Sequence, residues 1–158
     1  MTSLDLPNSA LERLISQNEI ESLIVRYCHF FDANQPALIT KLFTENAVVD
    51  YGPEVAPLVG IDSITKSISL GLANTFVGTS HHVSNFLIEF DSDDSATMVC
   101  YLYAWHAYKS NPKIGHLWGQ YNLKLQRISG VWKIERLFLK ATGMTDFHRN
   151  SMHPIDRA

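Results

Sequence analysis

Ser80-His81-His82-Val83-Ser84-Asn85-Phe86-Leu87-Ile88-Glu89-Phe90 opens the β-rich half of the chain and decides how the rest is read. A strand over these residues carries polar groups at its start and core-forming groups at its end. Polar side chains at the mouth of an apolar sheet mark a candidate site. Adjacent strand residues face opposite ways, so only one of His81 and His82 enters a pocket, and a bulge would exchange them.

Beyond this stretch, strands are expected over Ala96 to Tyr108, His116 to Ile128 and Val131 to Lys140. Asp91 to Asp94 and Ser129-Gly130 suit hairpins, and Lys109 to Lys113 makes a longer link, so the four strands form an antiparallel meander. In the strand from Ala96 one face presents Met98, Cys100, Leu102, Ala104, His106 and Tyr108, and the other Thr97, Val99, Tyr101, Tyr103 and Trp105. Apolar groups on both faces predict a sheet covered by helices on one side and by a second copy on the other, in a homodimer or homotrimer.

The first half reads as helical. Ser9 to Glu12 and Ser16 to Glu19 fit the capping box, and the second of them starts the better helix. Ile20, Leu23, Ile24, Tyr27, Cys28 and Phe31 recur on one helical face. Asp32 follows that stripe, where the helix dipole disfavours a carboxylate that lacks a cationic or hydrogen-bonding partner. Asn34 is expected to cap a second helix with Pro36 in its first turn, followed by a short strand over Ala47 to Tyr51 and a loop bracketed by Pro53 and Pro57. Ile61, Ile64, Ile68 and Leu72 mark a third helix. Helices first and a curved antiparallel sheet second is the α+β pattern. Residues 1–8 read as a flexible arm and 9–143 as the domain; the tail, 144–158, has no period and either stays loose or closes over the pocket.

The chain has 158 residues, 46% of them hydrophobic and 11% aromatic, and a net charge of −3, which suits one folded domain and offers no basic stripe for nucleic acid. No apolar run is long enough for a membrane helix. The first residues lack a signal-peptide pattern, so a cytoplasmic location is expected. Cys28 and Cys100 fall in apolar segments and read as small buried hydrophobes. The histidine pair lacks a third ligand at metal spacing, so no metal is expected.

Asp32, Tyr51, His81 and His106 come from four elements converging at one end of the sheet. A carboxylate set against an imidazole fixes its tautomer and makes it a base near neutral pH, and a tyrosine hydroxyl can polarise a substrate oxygen. Leu58, Phe86, Met98, Leu102, Leu117 and Phe138 are candidate pocket walls.

Ile20 to Asp32, Val49-Asp50-Tyr51-Gly52, His81-x-x-x-Asn85 and Gly130-Val131-Trp132-Lys133-Ile134 together resemble the SnoaL-like branch of the nuclear transport factor two-like superfamily. Within it the chain is similar to the scytalone dehydratases and the hexachlorocyclohexane dehydrochlorinases. The resemblance implies a cone-shaped α+β barrel (cystatin-like) with the site inside the cone. It places the family's helix-end Asp on Asp32, its catalytic His on His81, its second His on His106 and its Tyr on Tyr51. Asn85, four positions after His81, favours His81 over His82 as the inward residue. Phe31 stands where the dehydratase has a tyrosine, and Tyr121 where it has a pocket asparagine. The resulting expectation is a lyase or isomerase without a cofactor, using an Asp-His acid/base pair on a small apolar carbonyl- or hydroxyl-bearing substrate. The alternative is a non-catalytic ligand-binding or assembly module of the same fold.

Overall fold

The computed structural model describes residues 8–155. The arm expected over residues 1–8 lies outside the described residues except for Asn8, which begins helix α1 (Asn8–Asp32). α1 runs unbroken through Ser16, which is only 6% exposed, so the Ser16–Glu19 box starts no helix. Leu11 and Glu12 at the end of the first box and Arg13 and Leu14 after it are all good helix formers and give the chain no reason to break there.

α1 stops at a Schellman turn. Asn34 adopts a left-handed φ of 53°, the Gln35 N–H donates to the Phe30 carbonyl at 2.8 Å, and the Asn34 N–H donates to Phe31 at 3.0 Å. Asn34 therefore ends the first helix instead of capping the second: α2 (Pro36–Ile39) takes Gln35 as its N-cap, with no side-chain cap bond. A single 3-10 turn (Thr40–Leu42) leads into strand β1 (Phe43–Asp50), then β2 (Leu58–Val59) and helix α3 (Ile61–Asn74), which buries Ile64, Ile68 and Leu72.

The second half is strand β3 (Phe76–Ser92), β4 (Ser95–Tyr108), β5 (Ile114–Ile128), β6 (Val131–Thr145) and the short β7 (His153–Pro154). The β5–β6 hairpin turns on Ser129 and Gly130, both at positive φ, as a two-residue primed turn requires. β3 to β6 form the expected antiparallel meander, while β1 and β7 join β6 in parallel. The sheet is thus mixed, in the order β2-β1-β6-β5-β4-β3, and it curves without closing on itself. Its concave face packs on α1 and α3, giving the α+β cone.

The expected stripe on α1 is the core of that packing, with Ile20, Leu23, Ile24, Tyr27 and Cys28 at 4% exposure or less. Burying each large side chain contributes on the order of 2 kcal/mol, which fixes the end of α1 against β3. Cys28 and Cys100 are buried free thiols whose ionisation burial suppresses.

Five register shifts bend the meander, two of them near the ends of β3, between Phe76 and Gly78 and between Phe90 and Ser92, and three within the ladders. One extra residue sits near Asn85 in β3, one at Glu135 and one at Thr142 in β6. A bulge adds a residue to one strand and increases its local twist and bend, so a long sheet can wrap around helices. β4 has no shift against β5 over Ser95 to Ala107 and keeps strict alternation, with Met98, Cys100, Leu102, Ala104, His106 and Tyr108 all inward and buried.

Candidate active site

Asp32 is the last residue of α1, and its carboxylate reaches β3. Oδ1 lies 2.6 Å from His81 Nδ1, Oδ2 accepts the His81 backbone N–H at 2.8 Å, and the Thr79 hydroxyl donates to Oδ1 at 2.8 Å. These are the partners a carboxylate needs at the negative end of a helix. Burial alone would raise the Asp32 pKa; the His81 ring and backbone bonds, the His81 charge and the Thr79 hydroxyl together outweigh it and hold the carboxyl below its ordinary value. Asp32 is therefore ionised near neutral pH, and His81 presents its Nδ1–H to it. The remaining nitrogen, Nε2, is free to accept a proton on the cavity side.

His81 Nε2 stands 3.3 Å from His106 Nε2. His106 is 4% exposed, and burial, reinforced by the nearby His81 and His148, lowers its pKa to about 3 against the weaker opposing pull of Asp32. A neutral His106 can donate its Nε2–H to His81, and its Nδ1 has no partner among the described residues. The edge of Phe31 lies against the His81 ring at 5.0 Å, where a tyrosine would have added a hydroxyl. Tyr51, just past β1, bonds Tyr27 hydroxyl to hydroxyl at 2.7 Å, and burial raises its pKa to about 12 against smaller lowering effects of Tyr27 and Arg149. Tyr51 stays protonated and able to donate.

These groups surround a cavity of about 200 Å³. Phe31, Leu102, Leu117, Tyr121 and Leu139 form apolar walls, and Ser67, Ile68 and Gly71 of α3 with Phe76 complete one side. Since a dry cavity of about 150 Å³ takes a benzene, this one has room for one substituted ring. The residues from the tail that line it are Phe147, His148 and Arg149.

Several expected pocket residues lie elsewhere. His82 points outward, its Nε2 2.9 Å from the Ser80 hydroxyl and its ring beside Tyr103, so His81 is the inward member of the pair. Asn85 is exposed at the β3 bulge, with a φ of 53°. The extra residue there puts both Ser84 and Asn85 outside before Phe86 turns in again. Phe138 is also outside, stacked on His153 at 4.5 Å, because the Glu135 bulge shifts alternation by one and makes Leu139 the lining residue. Met98, Phe86 and Leu58 pack in or against the deeper core and do not line the cavity.

Thr79, Tyr27 and the tail residues were not legible as site residues. Thr79 had a signal: it precedes His81 by two on one strand and so shares its face. Tyr27 was hidden by its place in the apolar stripe. Its hydroxyl is testable. Tyr27→Phe leaves Tyr51 without its partner, and a drop of about 1–3 kcal/mol in unfolding free energy is expected by denaturant titration.

Acid should act on the same cluster. Because the unfolded chain binds a proton at His106 near pH 6.5 and the folded one only near pH 3, stability is lost as pH falls through that window. Asp32, held below its ordinary value, adds to the loss at the acid end. Denaturant titrations at pH 7 and pH 4.5 should show a smaller fall for His106→Gln than for the unaltered chain.

Helices seated in an open cone of sheet, with an ionised carboxylate fixing an inward histidine over a small apolar cavity, define a cone-shaped α+β protein with an internal site. A model of the SnoaL-like domain matches residues 12–137, and the chain belongs to that family. A putative scytalone dehydratase from Novosphingobium aromaticivorans is 34% identical, with 94% of this chain and 99% of that one covered at a TM-score of 0.88. A type-3 hexachlorocyclohexane dehydrochlorinase from Novosphingobium barchaimii shares the fold at 17% identity and a TM-score of 0.79, over 94% of this chain and 99% of that one. A putative aromatic ring hydroxylase from N. aromaticivorans does so at 24% identity and a TM-score of 0.76, over 89% and 95%. No curated protein matches in sequence. Among the described residues no helix is long and apolar enough to cross a membrane.

Proposed function

We propose that the protein is a cofactor-independent lyase or isomerase that removes a proton beside a carbonyl of a small, largely apolar substrate. The observation that carries this reading is the 2.6 Å contact between Asp32 and His81 Nδ1, which leaves Nε2 as a base on the cavity side. The putative dehydratase, the relative with the highest identity described above, supports elimination of water as the reaction type.

In an elimination, His81 Nε2 takes the proton from carbon and the C–H electron pair becomes the new double bond. Hydroxide leaves the neighbouring carbon. The imidazolium, stabilised by Asp32, returns its proton to that hydroxide and water departs. Tyr51 donates a hydrogen bond to the carbonyl oxygen as it gains charge, and the single Nε2–H of neutral His106 turns from His81 Nε2 to the same oxygen when the substrate enters, which frees that nitrogen to act as the base. A positioned general base of this kind contributes roughly 10²–10⁴-fold.

The test is a panel of β-hydroxy aryl ketones and their β-chloro analogues, followed by absorbance of the conjugated product and by chloride release. Turnover by the unaltered chain that disappears in His81→Gln supports the reading. Equal rates in the two proteins would remove His81 as the base, and no turnover in either while the compounds bind would favour a ligand-binding module.

A further inference from the structure

Among the described residues the cavity wall contains one permanent cation, and it comes from the tail. Arg149 lines the cavity and also the outer surface beside Phe147 and Asn150, so it stands at the mouth. It has no ion-pair or hydrogen-bond partner among the described residues. The carboxylates on the neighbouring segments are engaged elsewhere: Asp50 with the Gly52 N–H and His153, Glu54 with the Asn150 N–H, and Asp146 with Lys113. The backbone on either side of Arg149 is pinned, since the His148 N–H donates to the Tyr108 hydroxyl at 3.1 Å and the Asn150 N–H to Glu54 at 2.8 Å. An arginine whose backbone is held on both sides, lining an apolar cavity and left without a carboxylate, is arranged to receive one.

We infer that Arg149 binds a carboxylate on the substrate, so that the protein acts on small ring compounds bearing an acid group and Arg149 sets that specificity. The inference rests on the preceding reading of this cavity as the substrate site. A planar guanidinium pairs with a carboxylate through two parallel hydrogen bonds, and the apolar walls would hold the ring. Arg149 also lowers the Tyr51 pKa, which places its charge on the Tyr51 side of the cavity. With the acid group held there, the far end of the ring extends toward His81.

Benzoate and benzamide, nearly equal in shape and different in charge, test this by calorimetric titration. The unaltered chain should bind benzoate roughly tenfold or more tightly than benzamide, in keeping with the value of a charged pair shielded from water. Arg149→Gln should abolish the preference and Arg149→Lys should keep part of it. His81→Gln should retain it, so a failure of the acid/base reading and a failure of this one give different results. Equal binding of the two compounds, no measurable benzoate binding, or a preference that survives Arg149→Gln would overturn the inference.

Discussion

Asp32→Asn is expected to leave the protein folded and to lower kcat by roughly 10²–10⁴-fold. The end of α1 is held by the Schellman turn at Asn34 and by buried Tyr27 and Cys28, none of which needs the charge. The chemistry does need it. An amide at position 32 can still accept the His81 backbone N–H through its oxygen, and its NH₂ then faces His81 Nδ1. A donor there makes Nδ1 the acceptor and moves the ring proton to Nε2, the nitrogen that should accept the substrate proton. The same carboxylate-to-amide change in the serine-protease triad costs about 10⁴ through the wrong tautomer. Rate measurements on whichever panel compound is turned over, with circular dichroism as the folding control, check the expectation. An Asp32→Asn enzyme within about twofold of the original rate would remove the acid/base pair from the mechanism.

Gly119→Ala is expected to destabilise the sheet strongly. A Cβ at Gly119 would overlap the carbonyl oxygen of Lys140 and press on its carbon at 3.3 Å and on Ala141 Cα at 3.4 Å. Every one of these atoms is backbone of β6, so relief requires parting two paired strands. Overpacking against side chains costs about 1–3 kcal/mol, and here no rotamer change can relieve it. A loss of about 3 kcal/mol or more follows, which in a chain of this size lowers the melting temperature by roughly 10 °C. Gly71→Ala is the control: a Cβ there meets nothing within 4 Å, and alanine in mid-helix should raise stability by about 0.5–1 kcal/mol. A Gly119→Ala protein that melts with the original would mean that the two strands are not in this register.

What the sequence reveals here depends on how regularly each segment alternates. The inward row of β4, from Met98 to Tyr108, was readable because no bulge interrupts it. Asp32 was readable for another reason: a carboxylate at a helix C-terminus is electrostatically misplaced unless something compensates, and His81 does. Asn85 and Phe138 lie outside because the ladder gains a residue at Asn85 and at Glu135, where a period of two breaks. A one-residue shift exchanges the faces of everything after it. The sequence leaves open whether the tail stays loose or closes over the pocket, because its seat on the cavity depends on scattered polar clasps, such as Tyr108 with His148 and Glu54 with Asn150, which leave no periodic trace.

The placement of the bulges also decides where the chain can change length. A bulged residue is one the ladder does not use, so deleting Asn85 would leave His81 and Val83 before it, and Phe86, Ile88 and Phe90 after it, facing the same way as before. β4 has no such slack. One residue added or lost between Met98 and Leu102 would turn one half of that strand over, trading His106 for Trp105 or Ala107 on the cavity side and emptying the partner position of His81. The protein can thus absorb insertions and deletions in β3 and β6, while the length of β4 is fixed by the site it carries.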